Sequence, residues 1–246
     1  MRIIISPAKK MNVDTDSLPC SGLPQYLDRT QLLLDTLKGM SYAELKKLWK
    51  CNDSIAELNF ERINTAHLHK RLTPAVLSYE GIQYQYMAPG VFTYDEIDYI
   101  TQHLRILSGF YGILRPFDGV VPYRLEMQAK LSADGKKDLY DFWGGTLAAQ
   151  LAGETDCILN LASKEYSIAV SKYLPDSVKF ITCVFGEIKD GKVVEKGTAC
   201  KMARGEMVRF MAENNITDTE QIKTFNRQNY RFCPERSDEN TFVFIR

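Results

Sequence analysis

The stretch LRILSGFYGILRPFDGVVPYRLEM, residues 104–127, changes character three times without a solubilising linker. It opens with the apolar spacing of a helix, passes Gly109 and Gly112, meets Pro116, and ends in an alternation. That alternation sets Arg124 and Glu126 on one face and Tyr123, Leu125 and Met127 on the other. The glycines permit a tight, closely packed turn, and Pro116 forbids a simple continuation of any helix from Ile113. A segment this aromatic and apolar reads as a buried corner that presents Arg124 and Glu126 to a cleft. The competing reading is an edge strand with an ordinary surface ion pair.

Upstream, RIIIS (2–6) reads as a short apolar strand ended by Pro7. Lys9 and Lys10 follow at once, where open sheets place functional crevices. Residues 26–37 and 52–67 carry helical spacing. Ser41 with Glu44, and Thr93 with Glu96, are capping boxes; the first opens a helix to about residue 49 and the second a helix to about residue 108. The aromatic content of SYEGIQYQYMAPG (78–90) favours a strand or an extended turn.

Downstream, Asp138 is placed to cap a helix that sets Leu139, Phe142, Trp143 and Thr146 near one face, with Tyr140 to one side. DCILNLASKEY (156–166) reads as an inner strand running into a helix capped by Ser163, with Glu165 and Tyr166 in its first turn. Free N–H groups at such a junction attract anions. Glu165 already supplies a negative charge there, so the junction could instead receive a base amide, a lysine or an arginine. FITCVFGE (180–187) and the residues after Asp190-Gly191 form an antiparallel pair. In KMARGEMVRFM (201–211) a helical wheel puts Ala203, Met207, Phe210 and Met211 on the packing face and Lys201, Arg204, Gly205 and Val208 on another. A glycine inside a helix costs roughly 1 kcal/mol relative to alanine. Close approach of a partner backbone or a phosphate beside Arg204, or of a neighbouring helix, would account for Gly205. A helix over 216–225 capped by Asp218 and a closing strand at 242–245 complete the chain.

Composition limits the function classes. The 246 residues are 45% hydrophobic and 25% charged, the balance of a soluble globular protein. No apolar run approaches the roughly 20 residues that span a bilayer, and MRIIISPAKK turns polar too quickly for a secretory signal, so a cytoplasmic location is expected without membrane association. Thirty-one basic residues balance thirty-one acidic ones, so a nucleic-acid footprint must be local. The six cysteines form no CxxC, and His67, His69 and His103 lack metal-site spacing; neither a resident metal nor a cofactor is called for. Cys200, beside Lys201 and near Arg204, is the one thiol that a local positive charge could activate. GxGxxG after the first strand, GxxxxGK[ST], GxSxG and HExxH are all missing. With no repeat and no low-complexity linker, the expectation is one α+β domain over 1–246, a compact mixed sheet with surrounding helices, and a helical lobe at about 25–110.

ISPAK (5–9), LSGFYGILRPFD (107–118), PYRLEM (122–127), LYDFWG (139–144), NLASKEY (160–166) and KMARG (201–205) together resemble the YaaA family of peroxide stress proteins, in order and over the whole chain. The resemblance implies a cytosolic mixed α/β protein that limits peroxide and iron damage to DNA. It also implies sequence-independent binding of duplex or branched DNA through a helix-hairpin-helix element lining a basic cleft. Leu107, Ser108, Gly109 and Phe110 match the hairpin pattern, and Tyr111 intervenes before Gly112. On that placement the DNA-binding residues are Lys9, Lys10, Gly109, Gly112, Arg115, Arg124, Lys201 and Arg204, which position phosphates without reading bases. The alternative is an enzyme acting on a nucleotide or nucleic-acid component in the same cleft, with Glu126, Glu165, Tyr166 and Lys201 as proton-transfer candidates. The reaction and the oligomeric state stay open.

Overall fold

Ile3, Ile4 and Ile5 have the β-branched, uncharged character of a strand buried on both faces, and their strand becomes an inner strand of the sheet. In the computed structural model, which describes residues 1–246, Arg2–Ile5 lies inside an eight-stranded mixed sheet. Leu104–Ser108 pairs with it in parallel on one side and Cys157–Leu161 in parallel on the other. Beyond Cys157–Leu161 come Lys179–Lys189 and Thr241–Ile245, again parallel. Three short antiparallel strands complete the sheet: Gly112–Leu114 and Arg231–Phe232 at its two ends, and Lys192–Val194 against Lys179–Lys189. The register aligns Ile3 with both Leu104 and Leu159, so apolar side chains continue across the strands into a large hydrophobic cluster.

Local sequence chemistry sets five of the helix starts. Ser41 and Glu44 complete a capping box on Tyr42–Trp49, and Thr93 and Glu96 complete one on Tyr94–His103. Asn52 caps Asp53–Thr65, Asp138 caps Leu139–Trp143 and Asp218 caps Thr219–Ile222. The antiparallel turn at Asp190-Gly191 and the closing strand also form.

Five segments depart from expectation, the first being the helix capped by Asp138, which ends at Trp143 and leaves Thr146 to open a separate helix, Thr146–Glu154. The helix opened by Thr93 stops at His103, because residues 104–108 are buried and take their backbone partners from Ile3–Ile5 rather than from their own turn. The helix-hairpin-helix expected at 107–118 is a β-hairpin: Leu107 pairs with Ile113 and Ser108 with Gly112. Ser108 Oγ accepts the N–H groups of Phe110 and Tyr111 at 3.1 and 2.9 Å and so closes the turn. Ile82–Met87 is a helix, where aromatic content suggested an extended segment. It packs on Gly197–Glu213, and the closeness of that contact explains Gly205: a Cβ there would overlap the carbonyl oxygen of Gln83 and lie 2.9 Å from Met87 N. Finally, residues 121–126 have no regular secondary structure and no strand partner, so neither an edge strand nor a ladder forms.

At the N-terminal end of the parallel strands, Glu154 Oε2 accepts from Arg2 Nε at 2.9 Å and from Arg105 Nε at 2.8 Å. This clamp ties the Thr146–Glu154 helix to two adjacent strands, which leaves the opposite end for the site.

Candidate anion-binding cleft at the strand ends

The chain leaves Arg2–Ile5 toward Leu104–Ser108 on one side and later reaches Cys157–Leu161 on the other. Such a reversal opens a crevice beyond the carboxyl ends of the strands, where loops diverge and ligands commonly bind. Here Ser6 follows the first strand and Ser163 follows its neighbour. Ser6 Oγ accepts the Ser163 N–H at 2.9 Å and sits 3.2 Å from Ser163 Oγ. Ser163 is the N-cap of Lys164–Ser171, yet its hydroxyl makes no capping bond to that helix.

A cleft of about 410 Å³ opens at this point. Residues 6–10 form one wall and residues 123–126 another; Ser163, Glu165 and Tyr166 come from the strand-to-helix junction, and Lys201 and Arg204 from the long helix. The start of the Ile82–Met87 helix closes the remaining side with Gln83 and Tyr84. The alternation in YRLEM survives without a strand: Tyr123, Leu125 and Met127 go into the core while Arg124 and Glu126 reach the cleft.

Five cations and three carboxylates share this space: Lys9, Lys10, Arg124, Lys201 and Arg204 against Glu80, Glu126 and Glu165. Lys10 pairs with Glu80 at 2.5 Å and stays exposed. Glu126 Oε1 lies 3.0 Å from Lys9 Nζ and 3.2 Å from Arg124 Nη2, but neither cation is aligned to hydrogen-bond that buried oxygen. Arg204 Nη2 stands 3.6 Å from Glu195 Oε1, and Lys201 makes no ion pair. The Nε–H groups of both Arg124 and Arg204 are buried without a partner. Side-chain exposure is only 11% at Arg124 and 15% at Arg204, so little solvent is on hand to satisfy those donors.

The acids are tuned differently. Burial pushes the Glu165 carboxyl up from its ordinary value, the backbone N–H of Gln128 at 3.2 Å opposes that shift, and the nearby Glu126 charge adds to it. Burial, reinforced by Glu165, raises the Tyr166 hydroxyl well above the usual tyrosine range. Tyr84 donates to the Ser6 carbonyl at 2.9 Å, and burial likewise keeps it protonated. Behind the cleft Tyr123 links Ser108 Oγ at 2.6 Å to Tyr79 OH at 2.8 Å, its own hydroxyl pushed up to about 12 by burial.

Lys9, Lys10, Arg124, Glu126, Glu165, Tyr166, Lys201 and Arg204 therefore come together from four separated stretches. Gly109, Gly112 and Arg115 do not. A Cβ on Gly109 would lie 2.7 Å from Leu125 O, and one on Gly112 2.8 Å from the Trp143 ring, so both glycines serve packing inside the hairpin instead of presenting backbone to a phosphate. Arg115 is exposed beyond Leu114, which pairs with Ile106 next to Arg105, and so stands toward the opposite end of the sheet. Tyr140 donates to the Glu165 carbonyl at 2.9 Å and braces the junction from outside the cleft. Cys200 is buried, with Sγ 3.2 Å from Phe185 O; burial first and Glu195 second push the thiol up to about 11, opposite to an activated thiolate. His67 and His69 are exposed, and no three His, Cys, Asp or Glu side chains gather so as to hold a metal ion. No helix is long and apolar enough to cross a membrane.

Sequence reasoning missed Ser6, Gln83 and Tyr84. Ser6 carried a signal, standing where an apolar strand meets Pro7. Gln83 and Tyr84 sit in a helix whose close packing is against the distant Gly205.

The comparisons fit a shared architecture across the whole length. The family profile described as "Peroxide stress protein YaaA" matches residues 1–236. A UPF0246 protein of Lachnoclostridium phytofermentans is 56% identical over 246 residues, covering 100% of this chain and 96% of the relative. One from Desulfitobacterium hafniense is 57% identical, covering 100% of this chain and 98% of the relative. A third, from Pediococcus pentosaceus, is 53% identical with the same coverage.

Proposed function

The chain belongs to the YaaA family of peroxide stress proteins, and on that premise we propose that it binds DNA in the cytoplasm, largely independently of sequence, by holding backbone phosphates at the cleft. The observation that carries this reading is the pair of buried, unpartnered Nε–H donors on Arg124 and Arg204 in a cleft that also holds Lys201, a cation without a carboxylate partner. Guanidinium groups match phosphate oxygens in geometry, and a charged acceptor would satisfy donors that otherwise stay orphaned. A recess of 410 Å³ suits one nucleotide-sized group and excludes a duplex, so the duplex lies across the mouth with Lys9, Lys10 and Lys201 at its rim. Oxidative-stress protection, on this reading, follows from occupancy of DNA and not from peroxide chemistry at Cys200.

The test is a titration of labelled duplex and four-way-junction DNA at two salt concentrations. Affinity should fall as salt rises, because each phosphate contact releases about one counterion. Replacing Lys201 and Arg204 together by glutamine should weaken binding about tenfold or more at low salt. Failure to bind at roughly 50 mM salt, or binding untouched by that double replacement, rejects the reading.

A second reading is favoured by Glu165, whose raised carboxyl shares the cleft with Glu126 and Tyr166. It is an enzyme acting on a nucleotide or a nucleic-acid component, with Glu165 as the group that moves a proton. Product formed from DNA or a nucleotide, lost in Glu165→Gln while binding persists, would establish it.

A further inference from the structure

A second cavity, of about 470 Å³, adjoins the first and shares Lys9 and Glu126 with it. Its lining carries four lysines, Lys9, Lys47, Lys50 and Lys130, against two carboxylates. Both carboxylates have near neighbours of their own. Glu44 Oε2 accepts the Ser41 N–H at 2.8 Å and the Ser41 hydroxyl at 2.7 Å in the capping box, and Glu126 faces Lys9 and Arg124. Lys47, Lys50 and Lys130 are exposed and form no ion pair. Trp49 is part of the wall; it is 1% exposed, and its buried Nε1–H has no partner. Met40, Leu48 and Ala129 supply apolar surface beside it.

Cations in the last turn of a helix are expected from the helix dipole alone, and that accounts for Lys47 and Lys50 near the end of Tyr42–Trp49. It does not account for Lys130, which arrives from the separate segment after Met127 and lines the same cavity. Nor does it account for the apolar surface of Met40, Leu48, Trp49 and Ala129 set beside these cations. We propose that the second cavity is a phosphate-binding subsite for the same nucleic-acid strand, continuing the track past the Lys9–Glu126 pair. The three unpaired lysines neutralise backbone phosphate, and the apolar wall, Trp49 included, meets sugar or base. This rests on the nucleic-acid reading of the first cleft and extends its footprint to Lys47, Lys50 and Lys130.

The chain supplies a clean variant. Lys50 ends its helix with φ 48° and ψ 52°, a left-handed conformation that glycine adopts more readily. Lys50→Gly therefore deletes the charge while preserving the cap, and combined with Lys47→Gln and Lys130→Gln it should leave the melting curve intact. The full-length protein is titrated with a labelled duplex and with a short single strand at several salt concentrations, and its tryptophan emission is followed. Trp49 and Trp143 are the only tryptophans; Trp143 is also 1% exposed and its Nε1 donates to Gly109 O, so it is the unchanging reference. The triple variant should bind about tenfold or more weakly at low salt, with the slope of log affinity against log salt shallower by roughly two to three. The strand should change the wild-type emission, and Trp49→Phe should abolish that change. Wild-type affinity and slope in the triple variant would overturn the subsite while leaving the first cleft standing. Loss of affinity with silent Trp49 emission would reduce the lysines to a diffuse field and overturn the subsite too. If the wild-type protein binds no DNA, both the subsite and the first reading fall together.

Discussion

Ser6 and Ser163 join two neighbouring parallel strands at the point where the chain reverses its direction of travel across the sheet, Ser6 Oγ taking the Ser163 N–H at 2.9 Å. The bond fixes the floor of the cleft and draws the Ser163 hydroxyl away from the helix it would otherwise cap. Ser6→Ala should cost about 1–2 kcal/mol, because the partly buried Ser163 N–H loses its acceptor. Urea unfolding measures the loss, and DNA affinity should weaken in the same variant. An unchanged midpoint would show that the two strand ends hold position without this tie.

Gly205 was open to two explanations, a phosphate beside Arg204 or a neighbouring helix, and the geometry favours the helix. Gly205→Ala would drive a methyl into the Gln83 carbonyl, a backbone atom with little freedom to withdraw. Overpacking of this kind costs about 1–3 kcal/mol. The variant should lose that stability in chemical denaturation and carry reduced binding only as a consequence. Full stability with binding lost would return the phosphate explanation.

What could be read from the sequence was what local chemistry decides. Ser41 with Glu44, Thr93 with Glu96 and Asp138 announce their helices because each cap is satisfied within three residues. Arg124 with Glu126 could be foreseen to share a face because two-residue alternation survives in any extended backbone, paired or not. Residues 104–108 misled because their helical spacing is local, whereas their strand partners, Ile3–Ile5, are about a hundred residues away in the chain. The same reason hid the β-hairpin at 107–114 and the helix Ile82–Met87, whose close contact depends on Gly205. The Ser6–Ser163 bond spans 157 positions and has no local trace.

Cys200 gives a prediction about peroxide itself. Its thiol is buried and pushed up to about 11 by burial and Glu195, and thiol oxidation runs through the thiolate. Peroxide consumption should be the same in wild type and Cys200→Ser. Thiol labelling followed by peptide mapping at neutral pH should find Cys200 slower than the less buried Cys51 and Cys233. Peroxide turnover lost in the serine variant would move the protein to a thiol-dependent catalyst.

Glu165 makes the cleft sensitive to acid. Burial raises its carboxyl above the unfolded value of about 4.3, so the folded chain binds that proton more tightly than the unfolded chain does. Its contribution to stability is therefore greatest below the unfolded value and is lost as pH rises through the folded one. Ligand binding has the same sign. Once Glu165 ionises, a second carboxylate joins Glu126 beside the phosphate path, while the phosphodiester charge stays constant over that range. DNA affinity at fixed ionic strength should fall as pH rises through this titration, by about 1 kcal/mol or roughly fivefold for a partly screened charge. Glu165→Gln should bind more tightly than wild type on the alkaline side of this titration and show a flat profile across the same window. A wild-type profile that is already flat, or a variant that keeps the full pH dependence, would place Glu165 outside the electrostatic reach of the bound phosphate.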